Sequence, residues 1–463
     1  HNGDCLLQEQ RGERPTSSTR GALKNPFVGN VSKYVPLPPS EQRAGVKKGR
    51  LQFDACFESG NLGRADYVSD YEYDLFIRPD TCNPKFRVWF NFAVSNVRSE
   101  QRVIFNIVNF NKTKSLYRDG MSPLVMSTSR PKWQRIPSKS VFYYRCPDHG
   151  NNYVLSFAFA FDREEDIYYF SYCYPYTYSR LQQYLERVDA LNLPYWKREL
   201  LSQSVQQRRL DVVTISSPHN LQTDSHQRMV FITARVHPGE TPASYVCQGL
   251  IDFLLSSEPE AKVLRDNIVF KIVPMLNPDG VFLGNYRCSL MGFDLNRHWT
   301  EPSPWAHPTL HAAKELVMQY DRDPNISIDF YIDIHAHSTL TNGFMIGNLY
   351  EEEERLERQA IFPRLLSHTR PRLLHGTAIQ QHTTFVYILW LTITGGSFQQ
   401  RKTSFNRDVV KSGTGRRFLG GCLNPVTACY TLEVSFFSYS TAESHTQAPY
   451  TESSYLELGR SCG

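Results

Sequence analysis

The chain has 463 residues, of which 41% are hydrophobic, so it is long enough to bury a large core and to form two domains. Its formal net charge of +5 is too small to indicate a nucleic-acid-binding protein. The longest apolar run, 385–393, is about half as long as a membrane-spanning helix, so we predict no membrane association. The ten cysteines show no disulfide framework, which favours reduced thiols and a cytoplasmic location.

The first part of the chain predicts a leader followed by a β domain. Residues 1–47 mix Gly, Pro, Ser, Lys and Arg without a hydrophobic period, and we expect them to be disordered. From 48 to 175, hydrophobic and polar residues alternate in short segments separated by turn residues, which predicts an all-β antiparallel sandwich domain. The expected strands are 51–57, 71–77, 86–94, 103–107 and 153–161. This pattern indicates packing or partner contact rather than catalysis.

The remainder of the chain, 176–463, alternates strand and helix patterns. This predicts an α/β domain with a mixed, mainly parallel sheet and helices on both faces. The expected strands include 228–234, 267–276, 326–334 and 429–436. One segment, 368–402, interrupts the pattern with an apolar, β-prone stretch, and we interpret it as an atypical insertion.

A histidine and a glutamate mark the junction between a strand and a helix. Strand 228–234 ends just before His237, and Glu240 precedes a helical pattern that begins at Thr241. Open α/β sheets bind ligands at the carboxyl ends of their strands, and an imidazole with a carboxylate is typical of a zinc site. On this motif alone the alternative stays open: a turn histidine and a glutamate favoured by the helix dipole.

Two further polar side chains occur in strands that are otherwise apolar. His335 follows strand 326–334, and Glu433 lies inside strand 429–436. Each has a structural alternative, namely a core histidine and an outward-facing residue on an edge strand. Burial of a carboxylate without a partner is unfavourable, so Glu433 needs a reason to be there. The recurrence of polar groups at strand ends favours a shared site.

In this order and at these separations, the polar residues resemble the zinc carboxypeptidase family. The residues of four motifs, together with the predicted β-sandwich domain that precedes them in the sequence, resemble those of the cytosolic carboxypeptidase subgroup. The motifs are His237-Pro-Gly-Glu240, Asn277-Pro-Asp-Gly-Val281, Asp294-Leu-Asn-Arg297 and Asp333-Ile-His-Ala-His-Ser338. The resemblance covers about 48–367 and 403–460.

The resemblance implies a zinc site with a general base. His237, Glu240 and His335 would hold one Zn²⁺ per chain and leave a position for water. Asp294 would fix the orientation of the first histidine. Glu433 would take the proton of the water and return it to the leaving amine.

The resemblance also implies residues that bind the substrate. Arg287 would polarise the scissile carbonyl and hold its oxyanion. Asn296 and Arg297 would bind the terminal α-carboxylate, because a guanidinium pairs with a carboxylate in bidentate fashion. A site that holds this carboxylate acts as an exopeptidase.

Specificity is expected from the basic stretch Gly413–Arg417. In the family, a residue just after a Gly-rich loop lines the pocket for the last side chain. Arg416, with Lys411 or Arg417 assisting, would select a C-terminal glutamate. The alternative is a solvated basic turn.

The function implied by the resemblance is a metallocarboxypeptidase that removes C-terminal or side-chain-tail glutamates from polyglutamylated proteins such as tubulin. The implied location is the cytosol, with the centriole or the basal body of a cilium as further sites. Two alternatives stay open: a zinc N-acyl amino acid hydrolase, and a catalytically impaired microtubule-associated binding protein. No nucleotide site is predicted, because the sequence contains no G-x-x-x-x-G-K-[ST] motif.

Overall fold

The computed structural model describes residues 47–222, 226–367, 403–406, 408–440 and 447–460. The predicted insertion 368–402, and all but the last residue of the predicted leader, lie outside this part of the chain. The chain divides into two compact units. The first is the chain up to Thr177 together with Gly280–Phe293, and the second is Tyr178–Asp279 with Asp294–Gly463.

The first unit is built from ten strands in two sheets. The strands are β1 (Gln52–Asp54), β2 (Arg64–Ser69), β3 (Glu72–Phe76), β4 (Asn91–Ser95), β5 (Arg102–Phe110), β6 (Leu124–Ser127), β7 (Arg130–Arg135), β8 (Val141–Cys146), β9 (Asn152–Ala160) and β10 (Tyr168–Ser171). One five-stranded sheet has the order β1-β4-β10-β6-β7, and the other has the order β2-β3-β5-β9-β8. Short 3-10 helices lie at Leu116–Asp119, Ser138–Ser140 and Pro147–His149.

Aromatic residues fill the space between these two sheets. The ring centroid of Phe105 in β5 lies 6.2 Å from that of Phe92 in β4 and 5.3 Å from that of Phe170 in β10. The alternation that predicted a sandwich therefore reflects one inward-facing side of each strand. The paired strands are antiparallel, with β3 and β5 as a parallel exception. The reason is that β4, which lies between them in sequence, belongs to the other sheet, so the chain crosses over before it forms β5.

The segment Gly280–Phe293 belongs by its contacts to this first unit. We expected it in the second domain, because it lies in sequence between two predicted strands of that domain. Asn61 donates a hydrogen bond to the Gly284 carbonyl at 3.1 Å, and the Asn285 side chain donates to Thr81 Oγ1 at 2.8 Å. These bonds join residues that are more than 200 positions apart.

The second unit contains a mixed sheet of eight strands. Its strands are β11 (Trp196–Gln203), β12 (Arg209–Ile215), β13 (Gln227–Ala234), β14 (Val269–Val273), β15 (Ile326–His337), β16 (Gly343–Asn348), β17 (Ser404–Asn406) and β18 (Ala428–Ser435), and β19 (Ser438–Ser440) pairs separately with β20 (Gln447–Pro449). The order is β11-β12-β14-β13-β15-β18-β16-β17. The four adjacent strands β14, β13, β15 and β18 are mutually parallel. This confirms the predicted fold class.

Helices cover both faces of this sheet. The described helices from Tyr178 onward are α1 (Tyr178–Asp189), α2 (Thr241–Leu255), α3 (Pro259–Asn267), α4 (Pro278–Leu283), α5 (Pro308–Arg322), α6 (Glu353–Ser367), α7 (Gly415–Cys422) and α8 (Glu452–Arg460), and 3-10 helices lie at Pro218–Leu221, Leu295–Arg297 and Val409–Lys411. Met229 and Phe231 of β13 pack in one cluster with Leu310 of α5. Val230 and Ile232 are also buried, and strand geometry directs them to the opposite face, which α2 covers.

The central strands bring their carboxyl ends to one edge of the sheet. Ala234 at the end of β13 pairs with Ile334 of β15, and the next residue of β15, His335, pairs with Glu433 of β18. Because β18 lies between β15 and β16, Glu433 is not on an edge strand. None of the described helices combines the length and the apolar character that crossing a bilayer requires.

Candidate metal centre

The three residues predicted as zinc ligands lie together in the second unit. His237 Nδ1 is 2.8 Å from Glu240 Oε1, and His335 Nδ1 is 3.0 Å from Glu240 Oε2. One donor atom from each residue lies within 4.8 Å of the other two. All three residues are buried. The cluster therefore offers two imidazole nitrogens and a carboxylate to a single ion, which is a donor set typical of catalytic zinc.

The turn that carries His237 and Glu240 is held in place by Arg235. Its Nε donates to the Pro238 carbonyl at 2.8 Å, and its Nη1 donates to Ser244 Oγ at 2.7 Å. Arg235 has a φ of 59°, a left-handed conformation that is unusual for a residue other than glycine. The turn is thus fixed by a buried guanidinium. Sequence reasoning overlooked this residue, although a basic residue at the end of an apolar strand was an available signal.

A carboxylate lies behind each histidine. His237 Nε2 is 3.1 Å from Asp294 Oδ1, and His335 Nε2 is 2.6 Å from Asp333 Oδ2. Such partners fix the tautomer and leave Nδ1 for a metal. Burial opposes the charged imidazole, but Asp333 and Glu240 outweigh it and raise the pKa of His335 well above its usual value. The sequence analysis did not identify Asp333 as a partner of His335. The available signal was the i, i+2 spacing, which places both side chains on one face of the strand.

Glu240, the carboxylate of the cluster, is held by three groups. The backbone N–H of Ala336 donates to Glu240 Oε2 at 3.0 Å, in addition to the two histidine contacts. Burial alone would raise the pKa of Glu240, but His237 and His335 outweigh this effect and lower the pKa well below its usual value. Glu240 is therefore negatively charged and suited to a divalent cation.

Glu433 lies next to His335 in the sheet, and one oxygen of its carboxylate has no hydrogen-bond partner among the described residues. Its Oε2 atom is buried and, within the described part of the chain, has no hydrogen-bond partner. Burial raises the pKa of Glu433 to about 7, and the charge of His335 acts in the opposite direction. A partly buried carboxylate with one buried oxygen that has no partner among the described residues, one strand away from a histidine of the cluster, is a suitable acceptor for a proton.

Asn296 and Arg297 lie on the short helix that follows Asp294. The amide nitrogen of Asn296 is 3.3 Å from His335 Nε2, and its Oδ1 accepts a hydrogen bond from Gly415 N at 3.0 Å. Arg297 Nη1 donates to the Asn296 carbonyl at 2.8 Å. Asn296 therefore links the metal-binding cluster to the start of α7.

Arg416 lies in the first turn of α7 and is buried. Its Nη1 donates to the Gly347 carbonyl at 2.6 Å and to Asn348 Oδ1. Burial lowers the pKa of Arg416 to about 10, and the charge of Glu433 acts in the opposite direction. Arg416 is thus within electrostatic reach of Glu433. The alternative of a solvated turn does not describe this residue.

The two other basic residues of the predicted pocket differ from Arg416. The positive charge of Lys411 acts against burial in setting the pKa of Glu433. Arg417 is partly buried, and its backbone N–H donates to the capping residue Thr414 at 3.4 Å. The structure therefore shows charge from Lys411 and Arg416 acting at Glu433.

Arg287 is found in the first unit, within Gly280–Phe293. Its guanidinium carbon lies 5.9 Å from the centroid of the Phe86 ring. Its backbone N–H donates to Asp80 Oδ2 at 2.7 Å. The remaining predicted site residues all belong to the second unit.

Comparison with known proteins identifies the family of the chain. Residues 181–409 match the model of the zinc carboxypeptidase family, and residues 53–173 match the model of the cytosolic carboxypeptidase N-terminal domain. Cytosolic carboxypeptidase 6 of Homo sapiens is 63% identical over 93% of this chain and 81% of its own length. The protein of the same name from Caenorhabditis elegans is 45% identical over 94% of this chain and 88% of its own length. The chain belongs to the cytosolic carboxypeptidase family.

The fold of this cytosolic carboxypeptidase is also found among solved structures. A metallo-carboxypeptidase from Burkholderia cenocepacia superposes with a TM-score of 0.68, at 22% identity, over 89% of this chain and 96% of the other. At this identity the match shows the shared fold alone. Family membership confirms the enzyme class that the motifs predicted: the protein is a metallocarboxypeptidase.

The residues of this cytosolic carboxypeptidase fit the metal that the family name implies. His237, Glu240 and His335 supply the nitrogen and oxygen donors that zinc prefers, and both histidines direct their second nitrogen to a carboxylate. Glu433 Oε2 is buried next to the cluster without a partner among the described residues. A cation at the cluster would compensate this group.

Proposed function

We propose that the chain holds one zinc ion and removes glutamate residues from the C-termini or side-chain tails of polyglutamylated proteins, with tubulin as the expected substrate. The observation that carries the substrate class is the pair of positive charges, Arg416 and Lys411, that act on the carboxylate of Glu433. Two cations that act on the expected proton acceptor favour an acidic terminal residue. A cytosolic location belongs to the same proposal and is supported by the names of the relatives.

The chemistry would be divided between the metal and one carboxylate. When bound by His237, Glu240 and His335, zinc supplies positive charge that polarises a carbonyl and acidifies a water molecule. Glu433 would accept the proton of the attacking water at its carboxylate and later donate it to the leaving amine. The buried Oε2 atom has the lone pair for the first of these transfers.

Three residues would hold the substrate during these transfers. Arg297, with Asn296 beside it, would bind the terminal α-carboxylate through charge-assisted hydrogen bonds. Arg287 would donate to the carbonyl oxygen as negative charge develops on it. Recognition of the terminal carboxylate restricts cleavage to the last peptide bond.

The test is release of glutamate from synthetic peptides with matched tails. We expect cleavage of a peptide ending in four glutamates and much slower cleavage of the same peptide ending in four glutamines, because only the carboxylate pairs with Arg416. Arg416→Gln should lower kcat/KM for the glutamate peptide by about 30-fold or more, which corresponds to about 2 kcal/mol for one member of a buried charge pair. The measurement is amino acid analysis of the released residues.

Arg355→Gln is the matched control, because Arg355 also donates to a backbone carbonyl, that of Gly420 at 2.7 Å. The control should keep the preference for glutamate. Equal cleavage of both peptides by the unmodified enzyme would contradict the proposed specificity. Cleavage of N-acetylglutamate but not of the peptides would favour the acyl amino acid hydrolase instead.

A further inference from the structure

A buried aspartate of the first unit binds the loop that carries Arg287. Asp80 Oδ1 accepts a hydrogen bond from Tyr286 N at 2.7 Å, and Oδ2 accepts from Arg287 N at 2.7 Å and from Cys288 N at 2.8 Å. Asp80 is 2% exposed. Three successive backbone N–H groups therefore point at a single carboxylate.

The neighbours of Asp80 bind the flanking parts of the same loop. Thr81 N donates to Asn285 Oδ1 at 3.1 Å, and Thr81 Oγ1 donates to the Ser289 carbonyl at 3.2 Å. Asn83 donates to the Gly292 carbonyl at 3.0 Å. The turn from Asp80 to Asn83 is thus hydrogen-bonded to the loop at several points along its length.

The three bonds to Asp80 constrain the direction of the Arg287 side chain. Convergence of consecutive N–H groups on one acceptor fixes the peptide planes on both sides of Arg287, and these planes determine where its Cα–Cβ bond points. Hydrogen bonds between N–H groups and an ionised carboxylate are about twice as strong as those between neutral groups. The backbone at Arg287 is therefore held by charge and not only by shape.

An aspartate flanks the loop in sequence on each side. The segment Gly280–Phe293 follows Asp279, which accepts hydrogen bonds from Ser204 Oγ at 2.6 Å and from Gln206 N at 3.0 Å. It precedes Asp294, which lies 3.1 Å from His237 Nε2. Both ends of the loop are anchored, so the hold on residues 286–288 determines the path between them.

We propose that Asp80, a residue of the β-sandwich unit, is a positioning residue for catalysis: it holds the backbone of residues 286–288 so that Arg287 is preorganised for the reaction. This inference rests on the proposed function of Arg287 as the donor to the developing oxyanion. The aspartate touches no substrate and acts through the loop.

A merely structural role for Asp80 makes different predictions. If the carboxylate only stabilised the fold, its loss would lower the free energy of unfolding without a specific effect on kcat. If it positions Arg287, its loss would lower kcat with little change in KM, because an oxyanion donor acts in the transition state rather than in substrate binding. The effect would also depend on the presence of Arg287.

The test combines Asp80→Asn with Arg287→Ala in a double-mutant cycle on the zinc-loaded full chain. Asp80→Asn keeps the shape but presents an amide N–H to at least one of the three donors. Loss of one oxyanion donor costs about 10²- to 10³-fold in kcat, so we expect a loss of about tenfold or more for Asp80→Asn on a glutamate-tailed peptide. In the Arg287→Ala background the same change should lower kcat by less than about twofold.

A second readout does not depend on activity. Hydrogen exchange measured by mass spectrometry should show slow exchange of the Tyr286–Cys288 amides in the unmodified protein and fast exchange in Asp80→Asn, with zinc content unchanged. The matched control is Asp166→Asn in the same unit, because the buried carboxylate of Asp166 accepts from Thr128 Oγ1 and Ser129 Oγ and from no residue of the loop. This change should leave kcat within about twofold of the unmodified enzyme. If Asp80→Asn does not fold, Asp80→Ser retains one acceptor and takes its place.

The possible outcomes separate the role of Asp80 from the proposed function of Arg287. Fast exchange of the Tyr286–Cys288 amides in the unmodified protein would overturn the inference without any variant. A normal kcat for Asp80→Asn, together with a reduced kcat for Arg287→Ala, would also overturn it and leave the proposed function of Arg287 standing. A normal kcat for Arg287→Ala would overturn both. Equal losses of kcat for Asp80→Asn in the two backgrounds would show that Asp80 does not act through Arg287, and would also overturn the inference.

Discussion

Glu433 shows how much one residue in an unusual environment can indicate. It lies in a strand whose other positions are occupied mainly by apolar residues, and a carboxylate there is unfavourable unless its surroundings compensate it. The structure supplies the compensation through His335 on the neighbouring strand and through Lys411. The residue type and its strand position were readable from the sequence, whereas the compensating groups were not.

Glu433→Gln should remove most of the turnover and keep the metal. The amide cannot accept the proton of water, and general-base catalysis contributes about 10²- to 10⁴-fold, so kcat should fall by about that factor. Because Glu433 is not a member of the His237–Glu240–His335 cluster, zinc content measured by elemental analysis should stay at the level of the unmodified protein. Retention of more than about a tenth of the activity would argue against the general-base role.

Asp333→Asn should lower the affinity of the metal centre for zinc, because Asp333 orients the ligand His335. Asp333 accepts from His335 Nε2 at 2.6 Å, and removal of such a partner lowers metal affinity or activity by about 10- to 100-fold. A competition titration with a zinc chelator measures the affinity directly. Asp329→Asn on the same strand is the control, because Asp329 pairs with Arg228 at 2.8 Å and not with a histidine of the cluster. An equal effect of both changes would point to general damage to β15.

At the scale of elements, the packing of α2 on α8 depends on two glycines. A Cβ atom at Gly249 of α2 would overlap the Leu456 carbonyl oxygen, and a Cβ atom at Gly459 of α8 would overlap the Val246 carbonyl oxygen. The two helix backbones are therefore in direct contact. Since α2 begins immediately after Glu240, this contact fixes the helix next to the metal centre.

Gly249→Ala should destabilise the protein because a backbone atom of α8 must move. Overpacking of this kind costs about 1–3 kcal/mol in the free energy of unfolding, which urea denaturation measures. Gly421→Ala in α7 is the matched control: among the described residues, no atom from another element lies within 4 Å of its Cβ position, and alanine raises helix propensity by up to about 1 kcal/mol. A loss of stability for Gly421→Ala equal to that for Gly249→Ala would refute the packing argument.

The strands were predicted best where their alternation is strong and both neighbours are strands. The predicted strand 153–161 corresponds to β9, which pairs with β5 and β8. The predicted strand 86–94 is shorter in the structure, because the carbonyls of Phe86, Arg87 and Phe90 accept from residues outside the regular ladder. The edge strand β7 was missed, since its exposed, basic sequence has no apolar face.

At the scale of the whole molecule, the assignment of Gly280–Phe293 was beyond the reach of local patterns. Its sequence lies between two strands of the second unit, but its hydrogen bonds reach Asn61, Asp80 and Thr81 of the first. Periodicity reports which face of an element is buried and not which distant element covers it. The same limit explains why Asp80 was not recognised, whereas the ligand motifs, which are short and local, were.

Zinc should stabilise the whole second unit through its linkage to folding. The donor atoms of the cluster come from the end of β13, the start of α2 and β15, so the site exists only when these elements are folded together. A ligand that binds only the folded state adds about 2.7 kcal/mol at 100 times its dissociation constant. Removal of zinc by a chelator should therefore abolish activity and lower Tm by several degrees in differential scanning calorimetry, and added zinc should restore both.

Two histidine variants test whether this cluster is the stabilising site. His237→Ala should show no zinc-dependent shift of Tm, whereas His149→Ala in the first unit should keep the shift. A zinc-dependent shift in His237→Ala as large as that of the unmodified protein would place the stabilising metal somewhere other than this cluster.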